Sequence, residues 1–136
     1  MNWRKYVFLE RRRDSRHPVA IDVEFYIWNE RTESPLTARA KGCLINISKE
    51  GACLKTNTVR MAGYHLLLNN SLDGETPLIL EFQKPWDGGT FTVKSNIIWY
   101  NRSHCDREYR FEFGLAFLCL SPAQEKFLTK LRKSSR

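Results

Sequence analysis

An alternation of apolar and polar side chains is the clearest pattern in the chain, and it runs from Val19 to Asn29. Every odd position from Val19 to Ile27 is apolar, while Asp22 and Glu24 lie between them. A period of two residues places alternate side chains on opposite faces of an extended chain. This segment therefore predicts a β-strand with one buried face.

Five further segments predict strands, and polar or turn-forming residues separate them. Asn29 to Pro35 is polar and ends in proline, and Pro85 to Gly89 contains the Asp-Gly pair that hairpin turns favour. Several short strands with turns between them are typical of a closed barrel or a sandwich. The predicted strands are Leu36–Asn46, the ACLKT segment after Gly51, Leu78–Phe82, Phe91–Tyr100 and Arg107–Leu120.

The C-terminal segment has a different pattern and predicts one α-helix over residues 122–134. Ser121 is a good N-cap, and Pro122 fits the first helical position because that position needs no backbone donor. Phe127, Leu128 and Leu131 recur at helical spacing. We expect this apolar stripe to cover part of the β-structure.

The segment from Val59 to Gly74 has no decisive period. It is compatible with a helical turn or with a loop insertion.

Length and composition describe an ordinary globular protein. The chain has 136 residues, of which 42% are hydrophobic and 27% charged, enough for one domain with its own core. No apolar run reaches the length of a membrane span, and charged residues interrupt the N-terminal apolar run too early for a signal peptide. A cytoplasmic location is the expectation.

Positive charge is concentrated at the two ends of the chain. The net charge is +7; residues 1–18 and residues 122–136 each carry +4, so the part between them is close to neutral. Basic ends on a neutral body favour an anionic partner, although solubilising tails would have the same composition.

The four cysteines have no metal-binding or disulfide pattern. Cys43, Cys53 and Cys119 lie in apolar segments, whereas Cys105 does not. A free cysteine in such a segment behaves as a small hydrophobic residue, so we expect buried thiols rather than a disulfide framework.

Two short motifs carry the candidate chemistry. Arg12 and Arg16 form Arg-x-x-x-Arg just before the first strand, and Asn46, Ser48 and Gly51 form Asn-x-Ser-x-x-Gly after the second. Guanidinium groups can fork onto guanine, pair with phosphate and stack on a base. Taken alone, the second motif also fits a polar strand end that closes in a glycine turn.

In this order, ahead of a β-rich body and a C-terminal helix, the motifs resemble those of the PilZ domain family. The resemblance covers roughly Arg11 to Lys133, with Asn46 at a position that often holds Asp. It implies an all-β fold, a six-stranded antiparallel β-barrel of the split-barrel type with a C-terminal α-helix. Residues 1–10 would form a flexible arm, and residues 11–136 a single domain.

The resemblance also implies a function. PilZ domains bind cyclic di-GMP, a bacterial second messenger, and pass the signal to an effector protein without catalysing a reaction. By position, Arg12 and Arg16 would hold the guanines and phosphates, with Arg13 assisting. Asn46, Ser48 and Gly51 would line the other side of the ligand.

Other function classes have weaker support. His17, His65 and His104 are scattered without metal-ligand spacing, and no set of catalytic residues or cofactor motif is recognisable. The alternative is a PilZ-like adaptor, or a basic β-barrel, that binds a protein or single-stranded nucleic acid without cyclic di-GMP. The tryptophans would permit base stacking, but strand aromatics serve equally well as packing residues. Nucleic acid is the less favoured partner.

Overall fold

The structure is a computed structural model that describes residues 17–61, 64–66, 76–84, 86–102 and 108–134. It contains nine strands and one helix within these ranges. The strands are β1 (His17–Asn29), β2 (Ser34–Pro35), β3 (Ala40–Ile47), β4 (Gly51–Thr56), β5 (Arg60–Met61), β6 (Tyr64–His65), β7 (Leu78–Gln83), β8 (Thr90–Arg102) and β9 (Phe111–Phe117), and the helix is α1 (Pro122–Ser134).

Six of the strands close into an antiparallel barrel. Their order is β1-β3-β4-β9-β8-β7, and β7 pairs again with β1 through Val23–Phe82 to Ile27–Leu78. Closure leaves no free edge among these six strands. The predicted six-stranded barrel with a C-terminal helix is therefore confirmed. The short strand β2 extends the end of β1, and β5 pairs with β6 in a separate hairpin.

The core follows from the alternation along the strands. One face of each of the six barrel strands points into the barrel and supplies buried apolar side chains, which form a cluster with the apolar stripe of α1. Removing this apolar surface from water is the main stabilising contribution to the fold. The largest buried members are Phe25, Leu44, Leu54, Phe82 and Phe113.

One end of the barrel gathers most of the features discussed below. Because the strands are antiparallel, β3, β7 and β9 all finish at the end where β1 starts. The β3–β4 turn, the β7–β8 hairpin and the start of α1 therefore share this end, which we call the α1 end. Phe127 of α1 packs there against Phe82 and Phe91, with ring centroids 5.2 and 4.3 Å apart.

Two strands are shorter than the sequence predicts, because hydrogen bonds from side chains take the place of strand-to-strand backbone hydrogen bonds where the strands were expected to begin. The second large strand begins at Ala40 instead of Leu36, since the Thr37 hydroxyl accepts a hydrogen bond from the Ile27 N–H. The last strand begins at Phe111, because the Asn57 side chain hydrogen-bonds to the backbone of Glu108 and Arg110 just before it. It ends at Phe117 rather than Leu120.

The described part of the ambiguous segment after Val59 contains a short hairpin. Arg60 pairs with His65, and Met61 pairs with Tyr64. Residues 62–63 and 67–75 lie outside the described ranges, so the choice between a helical turn and a loop insertion stays open there.

The cysteine prediction is only partly correct. Cys53 is buried and Cys43 is half-buried, but Cys119 is exposed, and all three are free thiols. Cys119 has a φ of +42°, so the backbone leaves the strand direction on its way to α1. That local turn, which the apolar neighbours do not reveal, directs the side chain outward.

The helix in the described ranges lacks the length and apolar character needed to cross a membrane.

Candidate functional site

The β3–β4 turn is built around the hydroxyl of Ser48. Its Oγ accepts hydrogen bonds from the N–H groups of Glu50 and Gly51, each at 3.2 Å, and is 3.2 Å from the Gly51 carbonyl oxygen, to which it donates. The Ser48 N–H donates to the same carbonyl at 2.8 Å. Ser48 is only 3% exposed, so its polar atoms are satisfied within the turn.

Asn46 supplies the bend that leads into this turn. Its φ is +54°, in the left-handed region, where asparagine is found more often than most residues other than glycine. The side chain is half-buried, in contrast to the fully buried Ile47 beside it. Asn46 is therefore the motif residue of this turn whose side chain remains partly accessible.

Gly51 permits a close approach between β4 and β9. A Cβ at this position would overlap the carbonyl oxygen of Leu115, which belongs to the backbone and cannot rotate away. Gly51 pairs with Ala116, and the Phe117 N–H donates to the Glu50 carbonyl at 2.8 Å. The glycine thus attaches the turn to the end of β9.

Asn46, Ser48 and Gly51 lie together at the β3–β4 turn, and each of them supports the backbone there. Their expected role in lining a ligand stays a prediction. Arg12, Arg13 and Arg16 lie outside the described residues.

One residue from each of three neighbouring strands forms a row on the outer face of the barrel, beginning at the turn. Gly51 pairs with Ala116 and Ala116 with Asn96, while Leu115 and Ile97 beside them point into the core. The next row on this face, further from the turn, contains Cys53, Gly114 and Trp99, in register across β4, β9 and β8. A Cβ on Gly114 would overlap the indole of Trp99, so this ring lies directly over the glycine.

Asn96 contributes an unusual polar atom to this face. Its Oδ1 is buried and has no hydrogen-bond partner among the described residues. Leaving a buried acceptor unsatisfied costs about 1–3 kcal/mol, so this oxygen is expected to take a hydrogen bond from a donor such as a bound water.

Sequence reasoning missed Asn96 and the small residues of β9, and it considered Trp99 only among the tryptophans that permit base stacking. The small residues had a readable signal: Gly114 and Ala116 occupy the outward positions of β9, where polar side chains are usual. The side to which Trp99 points had no such signal, because a bulge between Ile97 and Trp99 changes the direction of the following side chains.

The thiol of Cys43 lies on the outer side of β3, opposite Asp22 of β1. Partial burial and, to a smaller extent, the negative charge of Asp22 raise the pKa of this thiol, which keeps it protonated near neutral pH. Among the described residues, no group of three or more His, Cys, Asp or Glu side chains is placed to hold a metal ion.

Comparisons with known proteins agree on the architecture. No family model matches the sequence, and no curated protein matches it. The structure is similar to the PilZ domain of YcgR from Escherichia coli solved with c-di-GMP, with a TM-score of 0.58 and 17% identity over 92% of this chain and 91% of that one. It is also similar to the PilZ domain of CeSA from a cellulose-synthesising bacterium, with a TM-score of 0.51 and 18% identity over 88% of this chain and 95% of that one.

These likenesses extend over nearly the whole length of both partners, and they match the barrel order and the C-terminal helix described above. The chain therefore has the fold of a PilZ domain.

Proposed function

We propose that this protein is a receptor for cyclic di-GMP, that it has no catalytic activity, and that it relays the bound signal to an effector protein. One observation carries the proposal: the Asn46–Gly51 turn adjoins the start of β1, the strand to which the arginine motif is joined. The fold shared with a PilZ domain solved with c-di-GMP supports it.

The chain connectivity brings the arginine motif within reach of the turn. His17 pairs with Ile47, which lies between Asn46 and Ser48. Arg16 is bonded to His17, so its Cα is about 3.8 Å from that of His17. Arg12 is four residues further away, which allows at most about 13–14 Å more. Both guanidinium groups can therefore meet a ligand that rests on the turn.

The outer face beside the turn suits a planar, polar ligand. The small side chain of Ala116 leaves space for a ring, and an indole such as that of Trp99 offers a stacking surface. The half-buried side-chain amide of Asn96, paired with Ala116, can bond a guanine edge. The ligand's two phosphodiesters would then be left to the arginines, which pair with phosphate in a bidentate manner.

Calorimetric titration of the full chain with cyclic di-GMP tests the proposal, with GTP and cyclic di-AMP as control ligands. We expect saturable binding of cyclic di-GMP alone. Arg16→Ala should weaken binding by about 2–5 kcal/mol, because it removes one partner of a desolvated charged contact. Arg16→Lys should not restore binding, since an ammonium group lacks the planar fork.

Arg60→Ala is the matched control, because Arg60 is an exposed arginine in the β5–β6 hairpin. It should bind like the unmodified protein. Absence of any heat with cyclic di-GMP, or unchanged affinity in a folded Arg16→Ala variant, would contradict the proposal.

A further inference from the structure

The exposed side of α1 and the neighbouring β7–β8 hairpin form a basic surface with a tryptophan at its edge. Lys126, Lys130 and Lys133 follow one another at spacings of four and three residues, so they share one face of the helix. All three are exposed. With Lys84 and Trp86 of the hairpin they make up what we call the α1–hairpin surface.

Trp86 is held firmly in this surface. Its ring centroid is 5.6 Å from that of Phe127, and the Lys130 ammonium lies 4.1 Å from the indole centroid. The Trp86 side chain nevertheless remains 38% exposed. Among the described residues, Tyr100 is the other exposed large hydrophobic side chain. A well-oriented tryptophan loses little conformational entropy on binding, which is why this residue dominates many interfaces.

The hairpin itself is rigidly closed. The Lys84 N–H donates to the Gly89 carbonyl at 2.7 Å, and the Gly88 N–H donates to the Lys84 carbonyl at 2.9 Å. Asp87 accepts from the Gly89 N–H at 2.8 Å. Gly88 has a φ of +75°, which glycine adopts without strain. The position of Trp86 is thus set before any partner arrives.

The charges of the surface indicate the chemistry of a partner. Among the described residues of this surface, four lysines accompany two carboxylates: Asp87, which lies 3.5 Å from the Lys84 ammonium, and Glu125. Lys126 and Lys133 are separated by seven helical residues, a rise of about 10 Å. A short acidic stretch of three or four extended residues has this length.

We infer that the α1–hairpin surface binds an acidic peptide segment of a partner protein, one that carries an apolar side chain to contact Trp86. A peptide fits this surface better than an anionic membrane, because a peptide can place its carboxylates beside the lysines and away from Asp87 and Glu125, whereas a continuous layer of lipid phosphates cannot. Phe127 and Lys130 also contact the indole, which limits how far Trp86 could insert into a bilayer.

The position of the α1–hairpin surface would let a bound ligand influence a partner there, although peptide binding does not depend on the proposed ligand. Both the β3–β4 turn and the α1–hairpin surface lie at the α1 end of the barrel. A partner docked on α1 would therefore sit at the same end as a ligand bound beside the turn.

Fluorescence anisotropy of the full chain with a labelled peptide of alternating glutamate and leucine tests the inference. The same peptide with glutamine for glutamate is the control probe. We expect the triple variant Lys126→Gln, Lys130→Gln, Lys133→Gln to weaken binding by about tenfold or more, and Trp86→Ala to weaken it severalfold. Glutamine keeps the helix propensity of lysine, so circular dichroism should be unchanged.

Lys41→Gln and Tyr100→Ala are matched controls, because both residues are exposed on strands outside this surface. They should bind the peptide like the unmodified protein. Equal binding of the glutamine peptide, no binding of the acidic peptide, or full binding by the triple variant would overturn the inference. Co-sedimentation with vesicles of phosphatidylcholine and phosphatidylserine, lost in the triple variant while the peptide fails to bind, would replace it with a membrane contact.

Discussion

At the scale of single residues, the Asn-x-Ser-x-x-Gly motif is first a device for building a turn. Asn46 accepts a positive φ, Ser48 bonds three backbone groups, and Gly51 lets β4 approach Leu115 of β9. Each residue type is explained by the backbone it supports. The ligand of the proposed function would therefore meet a preformed turn, in which Asn46 is the motif residue with a partly accessible side chain.

Replacing Ser48 by alanine should destabilise the fold. The substitution removes the acceptor of the part-buried Glu50 N–H and of the buried Gly51 N–H, which costs about 1–3 kcal/mol in the free energy of unfolding. Urea denaturation followed by circular dichroism measures this loss. Ser34→Ala is the control, because its hydroxyl bonds the exposed Thr32, and it should change stability by less than about 0.5 kcal/mol. Unchanged stability in Ser48→Ala would contradict the structural role of the hydroxyl in the turn.

At the scale of elements, α1 is part of the barrel core rather than an appended tail. Leu128 and Leu131 are almost fully buried, and Phe127 completes an aromatic cluster with Phe82 and Phe91. The helix begins with a reciprocal cap, in which Ser121 Oγ accepts from the Gln124 N–H and the Gln124 side chain accepts from the Ser121 N–H. Cap and stripe together fix the helix on the α1 end.

Truncating Phe127 tests how much the barrel depends on this helix. Phe127 is 5% exposed and contacts three aromatic rings, so Phe127→Ala should lower the free energy of unfolding by about 3–5 kcal/mol. Thr129→Ala, on the exposed face of the same helix, should be nearly neutral. A loss below about 1 kcal/mol in Phe127→Ala, by urea denaturation, would show that the barrel stands without α1.

At the scale of the whole molecule, the salt dependence of the affinity distinguishes two kinds of anionic ligand. A basic surface that follows a nucleic-acid backbone neutralises many phosphates and loses affinity steeply as salt rises, whereas cyclic di-GMP offers only two phosphodiesters. The net charge of +7 is compatible with both.

The affinity for cyclic di-GMP should fall by less than about tenfold between about 50 and 200 mM salt, because counterion release is limited to two phosphates. Calorimetry at several salt concentrations measures this dependence, with an oligothymidine single strand as the comparison ligand. Tighter binding of the oligonucleotide at low salt, with a steep salt dependence and no response to cyclic di-GMP, would support the nucleic-acid alternative instead.

The sequence pattern by itself determined a β-rich fold, either a barrel or a sandwich, with the approximate strands, the C-terminal helix and the residues of the β3–β4 turn, and the motif resemblance implied the six-stranded barrel. The features that the pattern determined depend on local properties: the alternation from Val19 to Ile27, the cap and apolar stripe of the helix, and the backbone preferences of Asn46 and Gly51. Periodicity and turn chemistry act over a few residues, so they can be recognised without knowing which strands pair.

Only the tertiary structure decided which strands are neighbours and which outward side chains share a face. Asn96, Gly114 and Trp99 meet because β8 and β9 pair with a bulge between Ile97 and Trp99, and Trp86 meets Lys130 because α1 folds back on the β7–β8 hairpin. Exposure of Cys119 and the late start of β3 likewise depend on local backbone turns and distant hydrogen bonds. Such contacts join residues far apart in the chain, so no local pattern encodes them, and they follow only once the barrel has closed.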